Sequence, residues 1–299
     1  VLQLVEEANK AFIDNDLNVK ASLLTAVTTF TNSYPGFTGK DGKKKMEDPW
    51  KELEEVLFDE RRNGGLSNNM AYFLRSLEAI RDHWSGDTWR VIKEMEENWQ
   101  RAKQQQHKGH YKIHSALDGV ITSMMAFVSL NRETISRDRG WVLLDCGRKM
   151  EQSMLLISMF RATLIQKNDD AVEYLLQEVV LNSTESMVNY RFKYKAHLKL
   201  PLVLDLLIFD PNNPRSLFYQ VEKMKTYLST LPKINTSQGL SDHERLVLEV
   251  FTRITSSGKD ELAKVNEKTK TYKNLDSFLT EINGLLYTMY NVISSTYFK

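Results

Sequence analysis

Three polar side chains stand in one of the most apolar stretches of the chain, and their spacing could do chemistry. Asp145, Arg148 and Glu151 or Gln152 are three or four residues apart, so on a helix they share one face. Arg148 carries a planar fork of N–H donors that suits a carboxylate or a phosphate. One reading is therefore a recognition surface inside a bundle, and the other is an internal ion-pair network that joins helices. Both begin from the same constraint. An arginine amid Trp141, Leu144, Met150, Met154 and Leu155 needs a partner, because a buried unpaired charge carries a large desolvation cost. Arg148 and Glu151 are expected to be buried and to bond across to another helix, with Tyr190 or Arg191 as partner and Tyr194 beside them.

His107, His110, His114 and Asp118 also recur at three and four, and on an uninterrupted helix they could ligate zinc or another divalent cation. That spacing supports an alternative reading of the chain as a helical metal-dependent enzyme, although Gly109 interrupts the run and Gln104–Lys108 reads as a solvated connector. Asp169, Asp170 and Glu173 resemble an aspartate-rich magnesium motif, but carboxylates are commoner at helix starts. Gly39–Lys45 is basic and contains glycine, yet it lacks the spacing and the Ser or Thr of a phosphate-binding loop. Cys146 has no evident base, and no serine sits in a nucleophile elbow. No catalytic residue and no cofactor is assigned.

The elements that must position these groups are helices. No proline occurs between Trp50 and Leu200, so long helices can run there unbroken. Met70, Phe73, Leu74, Leu77, Ile80 and Trp84 mark one helical stripe, and Trp89, Ile92, Met95 and Trp99 mark a second that Asp87 could cap. A third begins at Ile113 and stops near Asn131–Arg139. Trp141–Ile165 is apolar on most of its circumference, which predicts a central helix. Asp169 and Asp170 open another. Asn213–Pro214 reads as the cap of the helix carrying Leu217, Val221, Met224 and Leu228, and Ser241 with Glu244 forms a capping-box pattern. Leu202–Phe209 is too short to show its period and is taken as helical, since a lone strand has no partner. The expected fold is all-α, a bundle of long antiparallel helices without significant sheet. One continuous domain over 1–299 is expected, with sub-bundles 1–110 and 111–299 as the alternative.

Forty basic against thirty-nine acidic residues leave a formal charge of +1, so no global field gathers nucleic acid or an anionic membrane. Apolar runs such as Met154–Phe160 fall far short of the roughly 20 residues that cross a bilayer. A single cysteine forms no internal disulfide, and the first twenty residues lack the pattern of a secretory leader. A cytoplasmic location is expected.

Four motifs, in order, span most of the chain. Tyr34-Pro35-Gly36-Phe37-Thr38-Gly39 is followed by Pro49 and an acidic helix. Ile80-Arg81-Asp82-His83-Trp84-Ser85-Gly86-Asp87-Thr88-Trp89 joins a helix end to a restart. The third runs from Glu133 through Arg137, Asp138, Gly140 and Trp141 to Gly147, Arg148 and Glu151. The fourth comprises Tyr190-Arg191, Asp205-Leu206-Leu207 and Asp210-Pro211-Asn212-Asn213-Pro214-Arg215-Ser216. Together they resemble the alpha-E family of predicted helical proteins. That family takes its name from a Glu–Arg pair on a helix; here Glu151 is followed by Gln152, so the arginine is absent. An earlier Glu–Arg helix, usual in the family, is not found before Tyr34, and the chain is expected to be part of a longer one.

The resemblance implies partnership with a circularly permuted ATP-grasp ligase, in cis or in trans, with transglutaminase-like or proteasome-like peptidases nearby. It implies a role in making or handling a small peptide and assigns the helical domain no chemistry of its own. Asp145, Arg148, Glu151, Tyr190, Arg191 and Arg215 are the residues expected to recognise a ligand or partner.

Overall fold

A computed structural model describes residues 17–105, 110–232 and 239–298. Among these the fold is all-α, with fourteen α-helices and no strand; the only ladder contacts are isolated bridges from Thr271 to Gln166 and Asn266. In chain order the helices are α1 Leu17–Thr31, α2 Gly42–Lys45, α3 Pro49–Phe58, α4 Leu66–Ala79, α5 Gly86–Gln105, α6 His110–Thr134, α7 Arg139–Thr163, α8 Asp170–Ser183, α9 Met187–Tyr194, α10 Leu200–Leu204, α11 Leu217–Leu228, α12 Asp242–Thr255, α13 Lys259–Leu262 and α14 Lys273–Tyr297. Short 3₁₀ turns cover Gly36–Thr38 and Arg81–His83. A π-helical turn, Asp205–Phe209, continues α10, so the apolar run that hides its period is indeed helical.

Two compact units form. One is Thr31–Arg137; the other is Asp138 onward with the described chain before Thr31. α5 and α6 are each other's principal packing partners and lie together in the first of these units. In the first unit Phe58 stacks on Trp99 at 5.6 Å, and Phe127 makes edge-to-face pairs with Phe73 and Trp84. In the second, α7 packs on α8, α11 and α14, and α12 closes the layer between α11 and α14. Leu275, Phe278, Leu279, Ile282, Leu286 and Met289 form the buried stripe of α14. Each such side chain contributes about 1.5–3 kcal/mol relative to exposure.

Several caps fall where the sequence places them. Asp169 accepts from the Val172 N–H, and Ser241 with Glu244 forms a reciprocal capping box. Two are shifted. Ser85, not Asp87, caps α5 by accepting from the Thr88 N–H at 3.1 Å, and Ser216, not Asn213, caps α11 by accepting from the Tyr219 N–H at 3.0 Å. Among the described residues no helix is long and apolar enough to cross a membrane.

Candidate functional site

The fourth motif folds into one constellation around α9, α10 and the π turn. α9 ends at Lys195, which adopts a left-handed conformation with φ 49°. The chain then returns over Tyr190. This tyrosine is fully buried; its hydroxyl donates to the His197 carbonyl at 3.0 Å and accepts from the Lys199 N–H at 3.2 Å. α10 starts at once, with Pro201 in its first turn.

The π turn sets Asp205 at the centre of a charged network. Lys259 from α13 donates to Asp205 Oδ1 at 3.0 Å, Lys193 donates to Asp205 Oδ2 at 3.3 Å and to Asp210 Oδ2 at 2.8 Å, and the Tyr194 hydroxyl donates to Asp205. Asn213 supports it from below by donating to the Leu206 carbonyl at 2.9 Å. Two carboxylates face two ammoniums, so the cluster is electrically balanced.

Its protonation states are held firmly. Burial alone would raise Asp205, but hydrogen bonds from Tyr194, Lys259 and Lys193 more than offset it and keep the carboxyl below its ordinary range. Burial pulls Lys193 down, yet its bonds to Asp210, Tyr194 and Asp205 carry its pKa above the usual lysine value. Burial and then the bond to Asp205 push the Tyr194 phenol up. Because the folded pKa of Asp205 is lowered, it adds stability above its ordinary value of 3.8 and loses that contribution as pH falls through the folded value. Asp205→Asn should therefore be less stable than wild type at neutral pH, and the difference should shrink once pH drops below about 4. Urea unfolding of both proteins across that range checks the sign.

A second polar seam lies between α7 and α11. Arg148 pairs with Asp145 one turn back on its own helix, and burial, followed by the nearby Asp145 charge, raises the Tyr227 phenol of α11. Lys149 is buried, donates to Gln220 Oε1 at 3.1 Å, and its ammonium lies 5.3 Å from the Tyr219 ring centre; the Gln220 amide donates in turn to the Pro214 carbonyl. Cys146 is buried beside them, and desolvation followed by the Asp145 charge pushes its thiol up to about 12. The thiol stays protonated at neutral pH.

The expected cross-helix bonding of Arg148 and Glu151 is therefore corrected. Glu151 is exposed and pairs with no described residue, Arg148 is 26% exposed, and Tyr190 bonds backbone groups rather than either of them. Arg191 and Arg215 are exposed. The inward position belongs to Lys149, one residue further on. Because Asp145 is only 8% exposed, Arg148→Ala leaves a buried carboxylate short of one partner and should cost about 1–3 kcal/mol in urea unfolding, and no measurable loss would place the pair with solvent-screened surface pairs.

The other motif residues cap and pack. The Tyr34–Pro35 peptide is cis, Phe37 is buried, and Gly36 sits at φ 44°. The Trp84 indole donates to the Leu77 carbonyl at 2.9 Å, while Arg81 lies 4.7 Å from the Trp89 ring centre and Asp82 is exposed. Glu133 is exposed, Arg137 donates to the Arg132 carbonyl, Asp138 caps α7, and Trp141 meets the Tyr227 ring edge-on at 5.2 Å. A Cβ on Gly147 would meet nothing.

Among the described residues no group of three or more His, Cys, Asp or Glu is placed to hold a metal. His107 lies outside the described residues, as do the side chains of His110 and His114; Asp118 is exposed. The Asp169 carboxylate caps α8, and Glu173 accepts from Lys167 at 2.6 Å and from the Tyr272 hydroxyl at 2.8 Å.

These features define an all-helical domain whose polar residues tie helix ends and helix seams together. The chain belongs to the Alpha-E family, described as a predicted alpha-helical domain with a conserved ER motif, whose model matches residues 2–298. Similar proteins include uncharacterized proteins of Mycobacterium tuberculosis and Mycobacterium bovis, each 31% identical over 217 residues that cover 72% of this chain and 24% of the relative. The chain thus spans about a quarter of the length of the curated relatives it matches. No solved structure matches.

Proposed function

We propose that this domain is a non-catalytic helical scaffold or recognition module of an ATP-grasp, amide-bond-forming ligase system, with the ligase in cis or in trans. A transglutaminase-like or proteasome-like peptidase is the second class of partner. The ligase is what resemblance to the family implies, and the relatives, of which this chain spans about a quarter, have room for one on their own polypeptides.

The observation that carries the non-catalytic part is electrostatic. General acid–base catalysis needs a group whose pKa lies near the working pH. In the two polar clusters the shifts run the other way: Lys193, Tyr194, Tyr227 and Cys146 are raised and Asp205 is lowered. Each of these groups is held in the form it already has at neutral pH, which suits a rigid support better than a proton-transfer site. Gentle purification from the native host, with the ligase present in the cell, tests the docking. Co-purification in constant proportion is expected, and recovery of the domain alone counts against the proposal.

A further inference from the structure

We propose that the outward face of α9 docks an acidic protein segment that carries an apolar side chain. Val188 and Phe192 lie four residues apart on one face of this helix and are 78% and 83% exposed. Among the described residues no other large apolar side chain is as exposed. Burying both would release apolar surface that the fold leaves in water.

Most of the charges beside them are basic, the acidic exception on the chain next to them being Glu185, exposed three residues before Val188. Arg191, Lys195, His197 and Lys199 are exposed, none of them forms an ion pair with a described residue, and Met187–Lys199 contains no acidic residue. Lys193, on the same helix, is already neutralised by Asp205 and Asp210. A basic patch therefore sits on a chain whose formal charge is only +1.

The platform is also stiff. Tyr190 clamps the chain that follows α9 through its two backbone bonds, and Lys193 and Tyr194 fasten the helix to the π turn. A preorganised surface loses less conformational freedom on binding. An aromatic side chain with an arginine beside it, ringed by polar groups, is the usual make-up of an interface hot spot. Complementarity then fixes the partner's chemistry: carboxylates for Arg191, Lys195 and Lys199, and an apolar residue for Phe192.

Two other anionic partners fit less well. An interfacial helix needs a broad apolar face, whereas this helix offers two apolar side chains. Strong backbone binding to nucleic acid draws on many phosphate contacts, and this patch has three permanent cations. This inference deepens the scaffold proposal by giving the partner's chemistry, and it rests on that proposal only for the partner's identity.

The test is fluorescence polarisation on the full chain with four probes: a short helical peptide of Glu with Leu and Phe four residues apart, the same peptide with Lys for Glu, vesicles of phosphatidylcholine and phosphatidylglycerol, and single-stranded DNA. Saturable binding of the acidic peptide alone is expected. Phe192→Ser, and separately Arg191→Glu with Lys195→Glu, should each weaken it roughly tenfold or more while leaving thermal unfolding unchanged, because all three residues are exposed. No binding of the acidic peptide, equal binding by the variants, preference for vesicles or DNA, or self-association that depends on Phe192 would each overturn the proposal.

The same variants separate this inference from the ligase reading. If wild type binds the acidic peptide but no ligase co-purifies, the ligase reading falls and the docking face stands. If the variants fail to bind the peptide yet the ligase still co-purifies, the ligase docks elsewhere, and α9 serves another acidic partner.

Discussion

Tyr190→Ala is expected to lower the stability of its unit by about 3–5 kcal/mol, the range found when a large buried aromatic side chain is truncated. Tyr190 is fully buried, and its ring lies 5.0 Å from that of Tyr194. Truncation opens a cavity and also releases the His197 carbonyl and the Lys199 N–H. Tyr190→Phe separates these effects. It keeps the ring, and because His197 and Lys199 are exposed, water can take over their backbone groups. Its cost should be about 1 kcal/mol. Hydrogen–deuterium exchange is the suitable measurement, since two compact units need not unfold together. Residues 195–199 should lose protection in both variants, whereas α7 and α11 should lose it strongly only in Tyr190→Ala. Equal effects of the two variants would show that the hydroxyl, not the ring, holds the segment.

Helix existence was legible because a buried stripe writes a 3.6-residue period into the chain, as in α5 and α14, whereas the stripe read through Ile80 and Trp84 overran α4, which ends at Ala79 with Ile80 exposed. Cap position was less legible, because several residues near each helix start could serve. Asn213 shows why. Leu206 lies in the last turn before Phe209, where carbonyls have no helical partner, and the Asn213 amide is drawn to it. Ser216 is left to cap α11. Nothing local in the sequence announces the π turn that sets up this exchange.

The candidate site was legible in part. Asp205, Asp210 and Asn213 stand in the motifs, and the structure gathers them with Lys193 and Tyr194. Lys259 could not be found, because its bond to Asp205 spans 54 residues. The orientation of α7 failed for a different reason. A helix that is apolar on most sides offers no clear stripe to fix its rotation, and one residue turns the helix by about 100°. That step separates Arg148, on the flank, from Lys149, inside. Lys149 lies four residues after Asp145, so the spacing rule that selected Arg148 could have selected it too.

The other large effect is expected at Glu52, which the sequence does not single out. Glu52 is 2% exposed in α3 and sits between Lys45, at 2.7 Å, and Arg62, itself only 11% exposed. Arg62 also donates to the Ser33 carbonyl at 2.7 Å, so one carboxylate and one guanidinium join α3 to the chain that leads into the first motif. The motif is tightly seated here: a Cβ on Gly42 would lie 2.1 Å from the Phe37 carbonyl oxygen. Glu52→Ala leaves Arg62 with the distant, half-exposed Glu55 at 3.5 Å, and its Nε is already buried without a partner. Removing one member of a buried pair costs about 3–5 kcal/mol, because the remaining charge is stranded. Arg62→Ala should cost less, since Lys45 still neutralises Glu52. Replacing both by apolar residues, Glu52→Leu with Arg62→Met, should recover most of the loss, as the desolvation of both charges is removed together. Urea unfolding followed by tryptophan emission reads this unit, which holds four of the five tryptophans. A double variant as unstable as Glu52→Ala would mean that the bond to Ser33, not the charge balance, is what holds the segment.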